Sequence, residues 1–245
     1  RQTLMFSATM APKIRSLASK ILVKPVEINI AMSKPAEGVL QAVYLCYDNQ
    51  KIDLINHLIS ENPDYSSILI FCSTKKKVTD LATSLKKHKF AAQAISSDLE
   101  QTEREKVLQA FKARRTRILV ATDVLSRGID IKEINLIINF DVPHDAEDYV
   151  HRVGRTARAD ATGVALTLVN DREMGKFHQI EKLIEREVIK LPLPEGMGKG
   201  PEWRTFSKGK KSARQKFKKK KKSDHSSKNQ PHKKSQNKSR KNNRK

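Results

Sequence analysis

Residues 68–71 read Ile68-Leu69-Ile70-Phe71 and residues 118–121 read Ile118-Leu119-Val120-Ala121, two short runs without one polar side chain. A strand that faces water on one side alternates apolar and polar residues. These do not, so both faces must be covered, as in the middle of a parallel sheet. Similar β-branched segments occur at Gln41–Tyr47, Ala91–Ser96, Ile134–Phe140 and Val164–Val169, with a further candidate at Val26–Ile30. Helix-period segments lie between several of them: 50–61, 75–88, 101–113 and 146–153, preceded by a helical stretch from Pro12 to about Leu22. Strand–helix alternation with buried strands predicts an α/β, doubly wound, mainly parallel sheet with helices on both faces. Such sheets gather their ligands at the C-terminal ends of the strands.

The 245 residues carry 49 Lys and Arg against 27 Asp and Glu, a formal net charge of +22. That excess is concentrated at one end. From Arg204 to Lys245 there are 19 basic residues and a single acid, Asp224, which leaves 30 basic and 26 acidic residues for everything before. The tail has Phe206 and Phe217 as its only clear apolar anchors, too little to offset about 1–2 kcal/mol of backbone entropy per residue. A disordered basic tail that acts as a counter-ion for nucleic acid is expected, with a merely solubilising tail as the alternative. Between the two parts, Pro192, Pro194, Gly196, Gly198, Gly200 and Pro201 predict an end to regular structure.

Cys46 and Cys72 have no CxxC or His at ligand spacing, so buried reduced thiols are expected and no metal site is assigned. No apolar run approaches the ~20 residues that span a bilayer, and no signal peptide is visible. A cytoplasmic setting without membrane association fits. The first residue is Arg1 rather than Met, which suggests a chain that starts inside a longer protein.

Two segments carry chemistry. Residues 149–158 read YVHRVGRTAR, with Arg152, Arg155 and Arg158 every third residue beside His151 and Gly154. On a helix, residues three apart share a face, and converging guanidinium groups repel unless an anion lies between them. Their planar forks match phosphate oxygens. An exposed, solvated helix face is the plainer reading. Residues 120–130 read VATDVLSRGID, an apolar strand running straight into Thr122, Asp123, Ser126, Arg127, Gly128 and Asp130. Gly128 permits close backbone approach and Asp130 can accept from ribose hydroxyls. An ordinary strand–helix loop is again the plainer reading.

Together these segments resemble motifs V and VI of the DEAD-box RNA helicases residue by residue. Ser7-Ala8-Thr9 in LMFSATM is similar to the family's motif III, Leu69–Thr74 to motif IV, and Gln101 with Arg104 to a short element of Gln followed three residues later by Arg. Taken singly, Ser7 and Thr9 read as helix caps, and Gln101 with Arg104 as a solvated helix start. Within the family the chain looks closest to the bacterial RhlE-like helicases. The resemblance implies a RecA-like C-terminal lobe at 37–193. It also implies the end of an N-terminal lobe with its linker at 1–36, and a linker with basic tail at 194–245.

It further implies that Arg155 and Arg158 reach the γ-phosphate of ATP as arginine fingers, and that Asp130, supported by Gly128, contacts the ribose. Arg104, Thr122 and Arg127 would hold phosphates and sugars of an RNA strand. Ser7, Ala8, Thr9, His151 and Arg152 would couple the two lobes. ATP with Mg²⁺ would be held mainly by the N-terminal lobe, since neither GxxxxGK[ST] nor a DEAD tetrapeptide occurs in the sequence. The expected partners are RNA, the N-terminal helicase lobe, and ribosomal or mRNA-decay complexes. The chain by itself is therefore expected neither to hydrolyse ATP nor to unwind RNA. A non-catalytic RNA-binding module and a DNA-directed helicase lobe are the competing readings. Two departures stand out. Ser96-Ser97 replace the family's common His-Gly, and Asp160 lies close enough to the arginines to pair with one.

Overall fold

The computed structural model describes residues 2–7, 10, 12–28, 38–123, 134–156 and 163–204. The tail beyond Arg204 and residues 29–37 therefore lie outside the described residues, as do Arg127, Gly128, Asp130, Arg158, Ala8 and Thr9. Helix α1 spans Pro12–Ile21. There follow β1 (Val39–Leu45), α2 (Lys51–Glu61), β2 (Ile68–Phe71), α3 (Lys75–Lys87), β3 (Ala92–Ile95), α4 (Gln101–Lys112) and β4 (Ile118–Ala121). The chain continues through β5 (Leu136–Asn139), α5 (Ala146–Val153), β6 (Gly163–Val169), α6 (Met174–Ile184) and β7 (Ile189–Leu191).

The seven strands form one sheet in the order β3-β4-β2-β5-β6-β1-β7, and every pairing is parallel. Strands β2 and β4, the two wholly apolar runs, lie side by side in the interior with every residue buried. One face packs Phe71, Leu69, Ile137 and Val169 against α4, α5 and α6 through Phe111, Tyr149, Val153 and Phe177. The other packs Ile70, Val120, Ile138 and Leu168 against α2 and α3 through Leu54, Ile59, Val78 and Leu85. Helices on both faces of a parallel sheet are the expected architecture. Cys46 and Cys72 are buried free thiols in this second layer, and burial pushes Cys46 up to about 12. Among the described residues no helix is long and apolar enough to cross a membrane.

Three expectations are corrected. Val26–Ile28 forms no strand; its side chains are exposed and no strand lies beside it, so β-propensity alone had nothing to pair with. Helix α6 and strand β7 were not anticipated. The three-residue β7 is too short to show a period, and α6 buries Met174, Phe177, Ile180 and Ile184.

The third concerns the boundary at Leu193, because residues 194–204 are packed against the lobe. Gln50 Nε2 donates to the carbonyls of Met197 (2.7 Å) and Lys199 (3.4 Å), and Pro201 is buried. Trp203 meets Phe177 edge to face with ring centroids 6.3 Å apart, and Lys190 Nζ sits 4.7 Å from its ring centre. Gly200 makes the close approach possible, since a Cβ there would fall 1.9 Å from the Leu45 carbonyl oxygen. Gly200→Ala should therefore dislodge this strap at a cost of about 1–3 kcal/mol. Trp203 is the one tryptophan of the chain, so a red-shifted emission would report the release.

Candidate functional site

The C-terminal strand edge collects the polar residues of five connections. After β4 come Thr122 and Asp123, after β5 Asp141, after β2 Ser73 and Thr74, after β6 Asn170, and after β1 Asp48. Strand ends place these side chains together whatever their separation in sequence, which is why open parallel sheets carry sites there.

Arg152 organises one half of this edge. It lies in the last turn of α5 and is 3% exposed. Its Nε donates to Asp123 Oδ1 (2.5 Å) and its Nη2 to Asp123 Oδ2 (2.7 Å), a two-point fork on one carboxylate. Its Nη1 donates to Asn139 Oδ1 and to the Asp141 carbonyl, both at 3.0 Å, and the guanidinium carbon sits 5.0 Å from the Phe71 ring centre. Within this lobe Arg152 is an internal tie. Its hydrogen bonds run inward and tie α5 to the loop that carries Thr122. Arg152 and Arg155 do not share a helix face as expected: α5 stops at Val153, so Arg155 falls in the following turn while Arg152 faces the core, and Arg158 lies outside the described residues.

Lys51 organises the other half. Its Nζ, at the start of α2, is fully buried 3.1 Å from Asp48, 3.2 Å from Glu173 and 3.7 Å from Asp141. Lys77 Nζ reaches Asp141 Oδ1 at 2.5 Å and the Ser73 amide donates to Oδ2 at 2.8 Å. Asn170 Nδ2 donates to Asp48. Burial alone would lower the Lys51 pKa, but Glu173, Asp141 and Asp48 outweigh it and hold the ammonium above its ordinary value. Burial would raise Asp141, yet the Lys77 hydrogen bond, the Ser73 amide and Lys51 hold it below the usual carboxylate range. Buried ions survive here because each is paired and hydrogen-bonded. Asp141 joins the halves, with its carboxylate on the lysines and its carbonyl on Arg152.

The remaining candidates divide. Thr122 is half-buried at the strand end, next to the anchored Asp123. Arg104, in the first turn of α4, donates from Nη1 to Gln101 Oε1 at 3.3 Å, while its buried Nε has no hydrogen-bond partner. His151 is partly exposed with Nδ1 4.0 Å from Asp148. Arg155 is partly exposed, and Thr156 behind it bonds to the Ile134 carbonyl, which pins the turn to the base of β5. Ser7 is exposed. Thr74 caps α3 by accepting from the Lys77 amide. Among the described residues no group of His, Cys, Asp and Glu could hold a metal ion. Sequence reading missed Lys51, Asp123, Asn139, Asp141 and Glu173 as members of one network. Polar residues at the end of an apolar strand, Asn139 as its last residue and Asp141 two beyond it, were the available signal.

Residues 50–160 match the family model described as the helicase conserved C-terminal domain. The solved C-terminal domain of the DEAD-box protein Dbp5 superposes with a TM-score of 0.60 at 30% identity, over 64% of this chain and 91% of that one. The chain belongs to the DEAD-box family, as a C-terminal helicase lobe. Saccharomyces cerevisiae Dbp5, solved bound to RNA and ADP BeF3, gives a TM-score of 0.68 at 30% identity, covering 76% of this chain and 50% of that one. The DEAD-box ATP-dependent RNA helicase CshA of Geobacillus kaustophilus is 40% identical over 196 residues, 79% of this DEAD-box chain and 42% of that protein. The chain thus spans less than half the length of the curated relatives it matches. Its sheet is that of the RecA-like lobe expected from the motifs.

Proposed function

We propose that this lobe is one half of an ATP-dependent RNA helicase that couples ATP binding and hydrolysis to local unwinding or remodelling of RNA. The observation that carries the reading is the Arg152–Asp123 fork. It locks the strand-end loop bearing Thr122 to the helix end from which Arg155 emerges. A contact for an RNA phosphate and an arginine for a nucleotide phosphate then move as one body. Movement of that body toward a second lobe would bring both to their ligands together, a closure that ATP favours by binding the closed pair better.

In this reading Arg155 and Arg158 stabilise charge on the transferred phosphoryl group, and Asp130 with Gly128 takes the ribose. Thr122, Arg104 and Arg127 hold the RNA backbone, with the partnerless Arg104 Nε a donor for it. Ser7, Ala8, Thr9, His151 and Arg152 mediate between lobes, Arg152 through the loop that it anchors. ATP arrives with Mg²⁺ on the N-terminal lobe, and the exposed Leu4, Phe6, Leu17 and Ile21 before residue 29 are the apolar surface that such a lobe would cover. The finer placement among bacterial RhlE-like helicases and a role in ribosomal or mRNA-decay complexes belong to the same proposal.

The test has two arms. The chain alone should bind RNA without turning over ATP. Joined in cis to an N-terminal helicase lobe, it should show RNA-stimulated turnover that Arg155→Ala lowers by about 10³-fold or more, the range for a lost arginine finger. ATP turnover by the chain alone would sink the division of labour. A joined protein that binds RNA yet never hydrolyses ATP would favour a non-catalytic RNA-binding module, and stimulation by DNA instead of RNA a DNA-directed lobe.

A further inference from the structure

The opposite, N-terminal edge of the sheet carries a second concentration of charge that the strand-end site does not use. Helices α3 and α4 both end there, beside the edge strand β3 and its inner neighbour β4. The two connections are fastened to each other, because the Ala91 carbonyl accepts from both the Arg117 and Ile118 amides at 3.0 Å. They also share one geometry. At each helix end three amides fold back onto the last turn: those of His88, Lys89 and Phe90 in α3, and of Ala113, Arg114 and Arg115 in α4. Lys89 and Arg114 take the left-handed conformation, with φ of 64° and 59°.

Lys86, Lys87, His88, Lys89, Lys112, Arg114 and Arg115 are all exposed on these two connections. Lys86, Lys87, Lys89, Lys112 and Arg115 make no ion pair among the described residues. Segments 86–91 and 109–117 contain no acid. The inner cation, Arg117, is committed to structure: it donates to the carbonyls of Tyr65, Asn62 and Ile59 and closes the end of α2, where Glu61 and Asp64 bound the patch on one side.

Helix C-termini favour basic side chains through the dipole, and that accounts for one or two cations in each last turn. It does not account for Lys89, Arg114 and Arg115, which lie past the helix ends. Several like charges held close on a stiff backbone repel one another until an anion lies between them. The patch offers no platform for a base, since Phe111 is buried and Phe90 packs against the core. Single strands are held by stacking as well as charge, whereas a double helix presents phosphates with its bases inside.

We infer that this edge docks the sugar–phosphate backbone of a double-helical RNA arm, while the strand-end site holds the single strand. This rests on the reading that the lobe binds RNA. The two edges are separated by the strands themselves, about 13 Å for four residues, so one RNA with a single-stranded and a double-helical part reaches both.

The test uses the full 245-residue chain with an RNA hairpin bearing a single-stranded extension, and with the extension alone. Lysine acetylation should show Lys86, Lys87, Lys89 and Lys112 protected by the hairpin RNA and open with the extension. The combined variant K86Q/K87Q/K89G/R115Q should lower the salt dependence of hairpin binding by about one logarithmic unit per contact, roughly 3–4 in all. The basic tail contributes equally to parent and variant. Its melting temperature should stay close to the parent's, because Gly accepts the left-handed backbone at position 89 without strain and offsets the loss of two last-turn cations worth about 0.3–1 kcal/mol each, so weaker binding cannot be put down to misfolding. Bound hairpin with open lysines and an unchanged salt slope overturns the inference and leaves the RNA reading standing. Protection by polyglutamate but not by the hairpin overturns it in favour of an acidic protein surface. No binding of either RNA sinks the RNA reading itself.

Discussion

Arg152→Ala should destabilise the lobe by about 3–5 kcal/mol, the usual consequence of removing one member of a buried ion pair. The side chain is 3% exposed and makes four hydrogen bonds, two of them to Asp123. Its loss leaves that fork, Asn139 Oδ1 and the Asp141 carbonyl without their donor, and opens space beside Phe71. Arg152→Lys should recover only part of the loss, since an ammonium is a point donor and cannot reproduce a planar fork. Urea unfolding of the three proteins at neutral pH measures this directly. A loss below about 1 kcal/mol would place Arg152 among surface pairs and remove it as the tie between the two motifs. RNA affinity is expected to fall in the same order among the folded variants, because Thr122 sits on the loop that the fork anchors.

Lys51→Met is expected to be of similar size, about 3–5 kcal/mol at neutral pH, for a different reason. Methionine fills much of the space, but it leaves Asp48, Asp141 and Glu173 converging on a site without its central cation. The pH dependence separates this from simple repacking. In the parent, Asp141 is held below the ordinary carboxylate value, so its stabilisation is complete above about pH 4 and is lost as pH falls through the folded-state value. Lys51 is held above the ordinary lysine value, so its contribution is complete below about pH 10 and is lost as pH rises through the folded-state value. Between about pH 5 and 8 the parent should be nearly flat, and above about pH 8.5 it should lose stability as the buried thiols ionise in the unfolded chain only. Without Lys51 the folded state gains protons more readily than the unfolded chain, so the deficit of the variant should shrink as pH is lowered from 8 toward about 5. A deficit independent of pH would mean that volume, not charge, accounts for the loss.

The strap over residues 194–204 shows how composition misleads at a boundary. Its Pro and Gly content reads as linker, and regular structure does end there. Yet Gly200 is required for a close packing contact rather than for looseness, and Trp203 closes one end of the core. Backbone irregularity and absence of packing are separate properties. Composition reports the first.

Sequence alone determined the sheet class, because strands buried on both faces need apolar residues at every position, as Ile68–Phe71 and Ile118–Ala121 have. It also determined the family, since motifs V and VI each crowd unusual residues into a few consecutive positions. The tertiary structure decided what those residues do for one another. Asp123 and Arg152 lie 29 positions apart, and Lys51 and Glu173 lie 122 apart. They meet because the strand order puts β4, β2 and β5 side by side and sets β6 next to β1. Periodicity along a chain is a local quantity and carries no strand order. The pairing of charges follows from which strand ends become neighbours, and that is settled only when the whole sheet closes on its two layers of helices.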